Sequence, residues 1–321
     1  MKIYRELPKN FKPEDLSLFP NIEEGTVIPK PSIKTFKKVL ISGFNLFSIR
    51  SFKFFNSFSM AMYSKYSFVN FTKQMLKKLV KEKKIETKKV NLWIINDHSF
   101  NYFHWITEAL PRLALANENK VKGTVLIPYN WKNNSFIKES LNMFDVEYEL
   151  YNTESIYYFS NLISPKPLAT TGNYNPKYIK LVKNVLKKAS SEDLRFWIIR
   201  SQNQSRYISN KKELIELLKK YNIATIKSEE LDFVDEMNLF SKASFIGGLH
   251  GAGLTNMVLM DEGSSVLEVK TISTEESNAF FALASALNHN YYYFRSKDSE
   301  NDMGINLNLE KLDSILSEVF N

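Results

Sequence analysis

Residues 244–256 carry the sequence Ser-Phe-Ile-Gly-Gly-Leu-His-Gly-Ala-Gly-Leu-Thr-Asn, an apolar run that ends in a glycine-rich turn. Four of the ten glycines of the chain fall within seven residues here. The pattern predicts a strand at Ser244–Gly247 and a short helix at Gly253–Met260. Glycine allows a sharp turn and close approach of a ligand, and a helix start presents free N–H groups to an anion. The stretch therefore predicts a diphosphate site; the alternative is a tight turn that binds nothing.

Short strands and helices alternate on both sides of this stretch. The other predicted strands are Val39–Ser42, Val90–Ile95, Val125–Pro128, Arg195–Ile199, Ile223–Ile226, Ser265–Val269 and Tyr291–Phe294. The other predicted helices are Phe68–Lys83, Tyr102–Asn117, Ser135–Phe144, Lys177–Ala189, Ser209–Tyr221, Val234–Ser241, Glu275–Leu287 and Leu309–Phe320. This alternation is typical of an α/β protein with a doubly wound sheet, which binds ligands at the carboxyl ends of its strands.

The length and composition favour two domains and anionic partners. A chain of 321 residues is long enough for two domains, and the prolines between Pro165 and Pro176 mark the boundary. We therefore expect domains at 1–172 and 173–305, with a terminal helix at 306–321 that packs back on the first domain. The chain has no cysteine, which excludes disulfides and thiolate metal sites. It also shows no apolar segment typical of a secretory signal or a membrane-spanning helix.

The net charge of +8 indicates a preference for anionic ligands. Basic residues cluster in Lys77–Lys89, which is either a solvated surface or a contact with a membrane surface or a lipid-linked diphosphate. Nucleic-acid binding would rest on the charge alone and is not expected. A nucleotide-dependent oxidoreductase is not expected either, because the glycine turn lacks the Gly-x-Gly-x-x-Gly spacing.

Three charged residues follow predicted strands in the second half of the chain. Glu268 lies at the end of the Ser265–Val269 strand, where a carboxylate can accept both hydroxyls of a ribose. Arg200 follows the Arg195–Ile199 strand and Arg206 lies in the next polar loop. Guanidinium groups suit phosphate oxygens and could stabilise a diphosphate leaving group. The alternatives are an ordinary exposed glutamate and two surface arginines.

A second dense pattern lies in the predicted helix after Asn101. Asn101, His104, Glu108 and Arg112 fall on one helix face, at steps of three and four residues. His104 and Glu108 form a plausible acid–base pair, because the carboxylate can fix the imidazole tautomer. The alternative is a hydrogen bond that only braces the helix; a zinc site would lack a visible third ligand. Pro111 is expected to kink or end the helix.

Asp97 and His98, just before this helix, are further candidates for the same site. No Asp-x-Asp pair lies at a predicted strand end, and Glu300-Asn301-Asp302 is only a loose imitation of one. We therefore expect a reaction that needs no bound metal.

Together these segments resemble the family 61 glycosyltransferases. The resemblance rests on residues 101–113 (Asn-Tyr-Phe-His-Trp-Ile-Thr-Glu-Ala-Leu-Pro-Arg-Leu) and on 248–256 (Gly-Leu-His-Gly-Ala-Gly-Leu-Thr-Asn), with Arg200, Arg206 and Glu268 in matching places. It implies a GT-B fold, in which two Rossmann-like domains face each other across a cleft. It also implies an inverting, metal-independent transfer, and in bacterial relatives the synthesis of capsular or other surface polysaccharide.

The resemblance also implies roles for individual residues. The first domain would bind the acceptor, with His104 first and Glu108 second as the catalytic base. Asn101, Asp97 and His98 would lie on the acceptor side. The nucleotide sugar would be held in the second domain by Arg200, Arg206, His250, Gly251, Ala252, Gly253, Leu254, Thr255, Asn256 and Glu268.

The expected donor is a nucleotide sugar, and the resemblance implies that its nucleotide is UDP. The expected acceptor is a hydroxyl of a growing surface glycan, free or lipid-linked. No cofactor is expected. Because the chain lacks the membrane anchor and cysteines of plant and animal relatives, we expect a cytoplasmic bacterial enzyme, peripheral at the inner face of the plasma membrane. The alternative function is a non-catalytic protein that binds nucleotide sugars, or a scaffold of a polysaccharide assembly complex.

Overall fold

The computed structural model describes residues 1–19, 24–48, 50–51, 53–55, 85–87, 90–188, 192–200, 207–296 and 304–320. The predicted helix at Phe68–Lys83, most of Lys77–Lys89, Arg206 and Glu300–Asp302 lie outside these residues. None of the helices formed by the described residues is long and apolar enough to cross a membrane.

The described elements alternate between strands and helices, which confirms the predicted mixed α/β class. The strands are β1 (Lys2–Ile3), β2 (Thr26–Val27), β3 (Ile33–Ser42), β4 (Asn45–Ser48), β5 (Lys53–Phe54), β6 (Ile85–Thr87), β7 (Asn91–Leu92), β8 (Thr124–Pro128), β9 (Tyr148–Tyr151), β10 (Ile156–Pro165), β11 (Leu194–Ile198), β12 (Ala224–Ile226), β13 (Ala243–Leu249), β14 (Ser265–Lys270) and β15 (Asn290–Arg295). The α-helices are α1 (Tyr102–His104), α2 (Leu110–Glu118), α3 (Ser135–Met143), α4 (Pro176–Leu186), α5 (Lys211–Lys219), α6 (Phe233–Phe240), α7 (Ala279–Ala286) and α8 (Leu309–Phe320). A π-helical turn, Trp105–Ala109, connects α1 to α2, and 3₁₀ helices form at Pro13–Leu18, Tyr129–Trp131, Ser228–Glu230, Ala252–Leu259 and Ile272–Thr274.

The chain divides into two compact units. The central unit is Pro29–Leu168, and the C-terminal unit combines Met1–Ile28 with Ala169–Asn321. The boundary at residue 168 lies close to the expected one at 172. The expected domain 1–172 nevertheless needs a correction, because residues 1–28 belong to the C-terminal unit.

The central unit is built on a mixed sheet with the strand order β5-β4-β3-β10-β7-β8-β9, and β6 also pairs with β10. In this order, the pairs β5–β4, β4–β3 and β3–β10 are antiparallel. The pairs β10–β7, β7–β8 and β8–β9 are parallel. Trp93, Ile94 and Ile95 follow β7 and are fully buried. Helix α2 packs against β10 and buries Leu110 and Leu113. In the antiparallel half, Leu40, Phe47 and Ile156 form a small apolar cluster of their own.

The C-terminal unit contains an all-parallel sheet with the order β12-β11-β13-β14-β15. The central strands β13 and β14 are almost wholly buried, as expected for strands that are covered on both faces. From β11 the chain moves outward to β12, and it then crosses to β13 on the other side of β11. The strand order therefore reverses between β11 and β13, which is where a doubly wound sheet forms its ligand crevice.

The N-terminal segment Met1–Ile28 covers the edge strand β15. The Lys9 N–H donates to the Tyr291 carbonyl at 2.8 Å. The Asn10 side chain donates to the Tyr293 carbonyl at 2.8 Å and accepts from the Tyr293 N–H at 3.1 Å, as a neighbouring strand would. An exposed strand edge is a site of unwanted pairing, and this segment closes it. The need to cover β15 explains why residues 1–28 belong to this unit.

Helix α8 also belongs to the C-terminal unit, where it contacts α5 and β15. Its buried face consists of Leu312, Ile315 and Leu316, which join the apolar core formed with β11, β13 and β14. The expectation that residues 306–321 pack on the N-terminal domain is corrected accordingly, because this apolar stripe is already covered within its own unit.

Candidate functional site

Two segments predicted to bind the donor meet at the carboxyl ends of β11 and β13. Arg200 follows β11, and the turn at His250–Gly253 directly follows β13. Arg200 Nη2 donates to the His250 backbone carbonyl at 3.1 Å. Since these two strands flank the reversal of strand order, Arg200 and the turn lie where open α/β sheets bind ligands.

The four glycines of this stretch serve different purposes. A Cβ atom on Gly247 would lie 2.5 Å from the Trp197 ring, and one on Gly248 would lie 3.0 Å from the Ile198 carbonyl oxygen. These two glycines allow β13 to pack closely on β11. A Cβ atom on Gly251 would overlap the Arg200 guanidinium group, and one on Gly253 would lie 3.0 Å from Ile198 Cγ2. Gly251 thus leaves room for the arginine that faces the turn.

The predicted short helix after the turn is a 3₁₀ helix, Ala252–Leu259, packed against α4, α6 and α7. Gly251, Ala252 and Gly253 are half-buried at its start, whereas Leu254, Thr255 and Asn256 are buried. Asn256 Nδ2 donates to Glu236 Oε1 at 2.6 Å.

Thr255 and Asn256 were expected to help hold the nucleotide sugar, but this arrangement does not present their side chains to a ligand. Their side chains belong to the inner face of the 3₁₀ helix. Within the described part of the chain, Thr255 Oγ1 is buried without a hydrogen-bond partner. His250 and Gly251–Gly253 are the half-buried residues of the turn and remain accessible to a ligand.

Glu268 is fully buried, and both of its carboxylate oxygens have partners. Oε1 is hydrogen-bonded to His250 Nδ1, and Oε2 accepts from the Tyr291 hydroxyl group. The expectation that Glu268 binds ribose hydroxyls does not match this geometry, because Glu268 has no exposed surface. Instead Glu268 orients His250, whose ring packs edge-on against Phe280 with centroids 5.0 Å apart.

The predicted pair of His104 and Glu108 forms in the central unit. His104 Nδ1 and Glu108 Oε1 are 2.9 Å apart, and each side chain retains 21% of its exposure. The second carboxylate oxygen of Glu108 accepts from Asn96 Nδ2 at 3.2 Å. An ionised Glu108 fixes the tautomer that bears its proton on Nδ1, which leaves Nε2 with a lone pair. The pair thus has the geometry of a general base.

Pro111 does not end the helix, so of the two predicted outcomes, a kink or an end, the second is excluded. The π-helical turn Trp105–Ala109 comes first, with the Leu110 N–H bonded to the Trp105 carbonyl, and Pro111 then occupies the start of α2. Proline is tolerated there because a first-turn N–H has no partner within its own helix. Single π turns are frequent at functional sites, and this one carries Glu108.

Arg112, one residue further on, is buried rather than part of an accessible face. Its guanidinium group donates to the carbonyls of Pro165, Ile94 and Trp93 at 2.9, 2.6 and 3.0 Å. Burial lowers the pKa of Arg112 to about 9, and the charge of Glu108 opposes this change. Arg112 therefore links the strand ends of the sheet to the helix that carries His104 and Glu108.

The predicted acceptor-side residues lie close to His104 in the sequence but have different surroundings. The ring of His98 is exposed and stacks on that of His104, with centroids 5.3 Å apart. Asp97 is half-buried in the same turn. Asn101 is the N-cap of α1, and its side chain accepts from the Phe103 N–H at 3.0 Å. Asn101 thus fixes the start of the helix, and His98 is the neighbour that adjoins the His104 ring.

Sequence reasoning missed two residues that orient the histidines. Asn96 holds Glu108 and also accepts from Ser99 Oγ at 2.9 Å. An Asn at the start of a polar turn is typical of such local bonds, so the pattern contained a signal. Tyr291 gave no comparable signal, because it lies in a run of three tyrosines in β15. Among the described residues, no group of three His, Asp or Glu side chains could hold a metal ion.

Comparison with known proteins gives a family match that includes residues of both predicted sites. Residues 102–267, just over half of the chain, match the family described as Glycosyltransferase 61. The chain belongs to this family. The match begins one residue after Asn101 and ends one residue before Glu268, so it contains the His104–Glu108 pair, Arg200 and the His250 turn. The predicted family is thereby confirmed, and with it the predicted class of enzyme, a glycosyltransferase.

The curated relatives of this family 61 chain are animal proteins. EGF domain-specific O-linked N-acetylglucosamine transferase from Canis lupus familiaris is 26% identical over 110 residues, which are 33% of this chain and 20% of the relative. The protein of the same name from Rattus norvegicus is 29% identical over 112 residues, 33% of this chain and 21% of the relative. The protein of this name from Bos taurus is 29% identical over 87 residues, which are 26% of this chain and 16% of the relative. The matched segment thus spans about a fifth of the length of these relatives.

Proposed function

We propose that this chain transfers a sugar from a nucleoside-diphosphate donor to a hydroxyl group of a glycan, with inversion at the anomeric carbon. The observation that carries the proposal is the position of Arg200 and the His250 turn, which meet at the switch point of a parallel sheet in a family 61 chain. We further propose that the two units form a GT-B arrangement, with the donor on the C-terminal unit and the acceptor on the central unit.

The donor site is proposed to hold the diphosphate through charge and backbone groups. Arg200 offers a guanidinium fork, and Arg206 is expected to add a second one. The N–H groups at the start of the Ala252–Leu259 helix can donate to phosphate oxygens, and the partial positive charge of a helix start favours an anion. As the bond to the sugar breaks, these groups stabilise the negative charge that develops on the leaving diphosphate, so no bound metal is required.

The acceptor is proposed to be activated by His104. With Nδ1 held by Glu108, Nε2 takes the proton of the acceptor hydroxyl. The acceptor oxygen then bonds to the anomeric carbon from the face opposite the diphosphate, the bond from that carbon to the diphosphate breaks, and the nucleoside diphosphate leaves. A general base contributes about 10² to 10⁴ in rate, which sets the expected effect of its removal.

The substrates follow from the resemblance and from the names of the relatives. Those names specify N-acetylglucosamine, so UDP-N-acetylglucosamine is the first donor to test. A surface glycan of the capsular type, free or lipid-linked, is proposed as the acceptor. The proposed location is the cytoplasm, with Lys77–Lys89 in electrostatic contact with the membrane surface. High salt should then release the protein from membranes, and failure to release it would contradict this contact.

The decisive experiment measures release of UDP from UDP-N-acetylglucosamine with a panel of glycan acceptors, in EDTA. His104→Ala and Glu108→Gln should lower turnover at least 100-fold without weakening nucleotide binding, because neither side chain is assigned to the donor. Glu149→Gln, which removes an exposed carboxylate of the same unit, should leave turnover unchanged.

Other outcomes would change the proposal. Activity that is lost in EDTA and restored by manganese would contradict metal independence. Nucleotide binding without turnover on any acceptor would favour a non-catalytic binding or scaffold protein.

A further inference from the structure

We propose that Tyr291 is a positioning residue of the donor site, which acts through Glu268 to present a protonated His250 Nε2 to the diphosphate. The inference rests on the proposed function, because it specifies which group of the donor His250 meets. The site contains a buried chain of three side chains, His250, Glu268 and Tyr291, and only the first of them reaches the surface.

The carboxylate of Glu268 is the centre of this chain. It is 0% exposed, and its two oxygens contact His250 Nδ1 and the Tyr291 hydroxyl group. A buried carboxylate is costly unless hydrogen bonds and nearby positive charge compensate it. Burial and the adjacent Glu268 raise the pKa of Tyr291 well above its ordinary value, so the hydroxyl keeps its proton and donates it in this bond. Lys270, two residues after Glu268 and also buried, adds positive charge nearby.

Tyr291 is itself held in place by the N-terminal segment. Its backbone carbonyl accepts from the Lys9 N–H at 2.8 Å. Its ring meets those of Phe281 and Phe19, with centroids 5.2 and 6.5 Å apart. Tyr291 lies opposite Val266 in the parallel register, and Val266 and Glu268 project from the same face of β14. The direction of the hydroxyl group is therefore fixed by packing on both sides.

The consequence for His250 is a fixed orientation. With Nδ1 bonded to Glu268 and the ring packed against Phe280, Nε2 points away from the buried carboxylate. The His250 side chain keeps 17% of its exposure and belongs to the turn that contacts Arg200. Between the Glu268 carboxylate and a phosphate oxygen, both of which accept hydrogen bonds, both ring nitrogens of His250 have to donate. In the complex with a diphosphate, His250 therefore offers Nε2–H to a phosphate oxygen.

The test combines nitrogen NMR with nucleotide titration. The chain has four histidines, so ¹⁵N-histidine labelling gives a simple spectrum that shows which ring nitrogens carry protons; His250→Gln identifies the His250 signals. In the wild type with UDP bound, both His250 nitrogens should be protonated. Tyr291→Phe keeps the ring and removes the hydroxyl; it should change the His250 signals and weaken the Kd for UDP about tenfold.

Tyr293→Phe is the matched control. Tyr293 lies two residues further along β15, and its hydroxyl donates to Asp15 Oδ2 at 2.6 Å rather than to Glu268. It should therefore lose a comparable hydrogen bond and leave the His250 signals and the Kd unchanged. If Tyr291→Phe does not fold, Glu268→Gln provides the same test, since an amide cannot stabilise the protonated imidazole.

The outcomes separate this inference from the proposed function. Wild-type protein that binds no nucleoside diphosphate would overturn the proposed donor site, and the role of His250 with it. Unchanged UDP affinity and unchanged His250 signals in Tyr291→Phe would overturn the positioning role alone. The same result in Tyr291→Phe and Tyr293→Phe would also overturn it, because the effect would then be a general loss of stability.

Discussion

Replacing Glu236 by Gln should change how the stability of the C-terminal unit depends on pH. The Glu236 carboxyl group is buried beneath the Ala252–Leu259 helix and accepts from Asn256 Nδ2 at 2.6 Å. Burial raises the pKa of Glu236 to about 7, partly offset by the hydrogen bond from Asn256. The folded protein therefore keeps a proton on Glu236 over a pH range in which the unfolded chain has lost it.

The sign and size of the effect follow from this difference. A raised carboxyl pKa stabilises the fold below the unfolded pKa of about 4.5, and this contribution is lost as the pH rises toward 7. At about 1.4 kcal/mol per pH unit, the free energy of unfolding should fall by up to about 3 kcal/mol across this range. Glutamine stays neutral and its oxygen can still accept from Asn256. Glu236→Gln should therefore match the wild type near pH 4.5 and exceed it by up to about 3 kcal/mol at pH 8.

His289 changes the free energy of unfolding with pH in the opposite direction to Glu236. The wild-type curve alone therefore does not isolate the effect of Glu236, and the variant is needed. Its ring bonds to the Met257 carbonyl through Nε2 at 2.9 Å, and burial lowers its pKa to about 4. A lowered histidine pKa costs stability as the pH falls from about 6.5 toward 4, because the unfolded chain then takes up the proton first. Between about pH 4.5 and 6.5 the two groups thus have opposing slopes in the wild type. In Glu236→Gln the contribution of Glu236 is removed, so the free energy of unfolding should rise with pH over this range because of His289.

Urea unfolding followed by tryptophan fluorescence at pH 5, 6, 7 and 8 measures this directly. Glu213→Gln, an exposed carboxylate in α5, is the matched control and should follow the wild-type curve. A Glu236→Gln curve that runs parallel to the wild type from pH 5 to 8 would refute the argument, because Glu236 would then have the same pKa in the folded and unfolded chain.

Three further substitutions test packing at and near the two sites. Arg112→Lys removes the planar fork that serves three backbone carbonyls and should lower the free energy of unfolding by about 3 kcal/mol, measured by urea unfolding; an unchanged midpoint would contradict this. Gly247→Ala pushes a methyl group into the Trp197 ring and should destabilise the fold by about 1 to 3 kcal/mol. Gly251→Ala meets only the movable end of Arg200, so it should keep the melting temperature and lose UDP affinity; equal destabilisation by both alanines would count against this distinction.

The local elements of this fold were largely predictable because the apolar periodicity is strong. The strand at Ser265–Val269 and the helix at Leu309–Phe320 match the observed β14 and α8 to within one residue. The predicted strand Val90–Ile95 is shorter in the structure, since β7 is assigned only at Asn91–Leu92 while Trp93 and the residues after it remain buried. An apolar run indicates burial, but it does not say how many of its residues pair with a neighbouring strand.

Contacts between distant residues could not be predicted. The N-terminal segment covers β15 through backbone bonds, such as Lys9 N–H to Tyr291, that connect residues more than 280 positions apart, and no periodicity indicates such a partner. The same limit applies to the site. The His104–Glu108 pair lies within one helical stretch and was predictable from spacing. The burial of Glu268 was not, because a strand-end carboxylate can face either solvent or the interior.

The most direct test of the donor site is isothermal titration of UDP, GDP and CDP into the wild type, Arg200→Ala and Arg195→Ala. Arg195 lies near the other end of the same strand, where it donates to the Tyr221 carbonyl at 3.0 Å, so it controls for loss of charge. One nucleoside diphosphate should bind to the wild type and to Arg195→Ala with equal affinity, and about tenfold or more weakly to Arg200→Ala. Equal affinity for Arg200→Ala, or no binding of any of the three to the wild type, would contradict a donor site at the reversal of strand order.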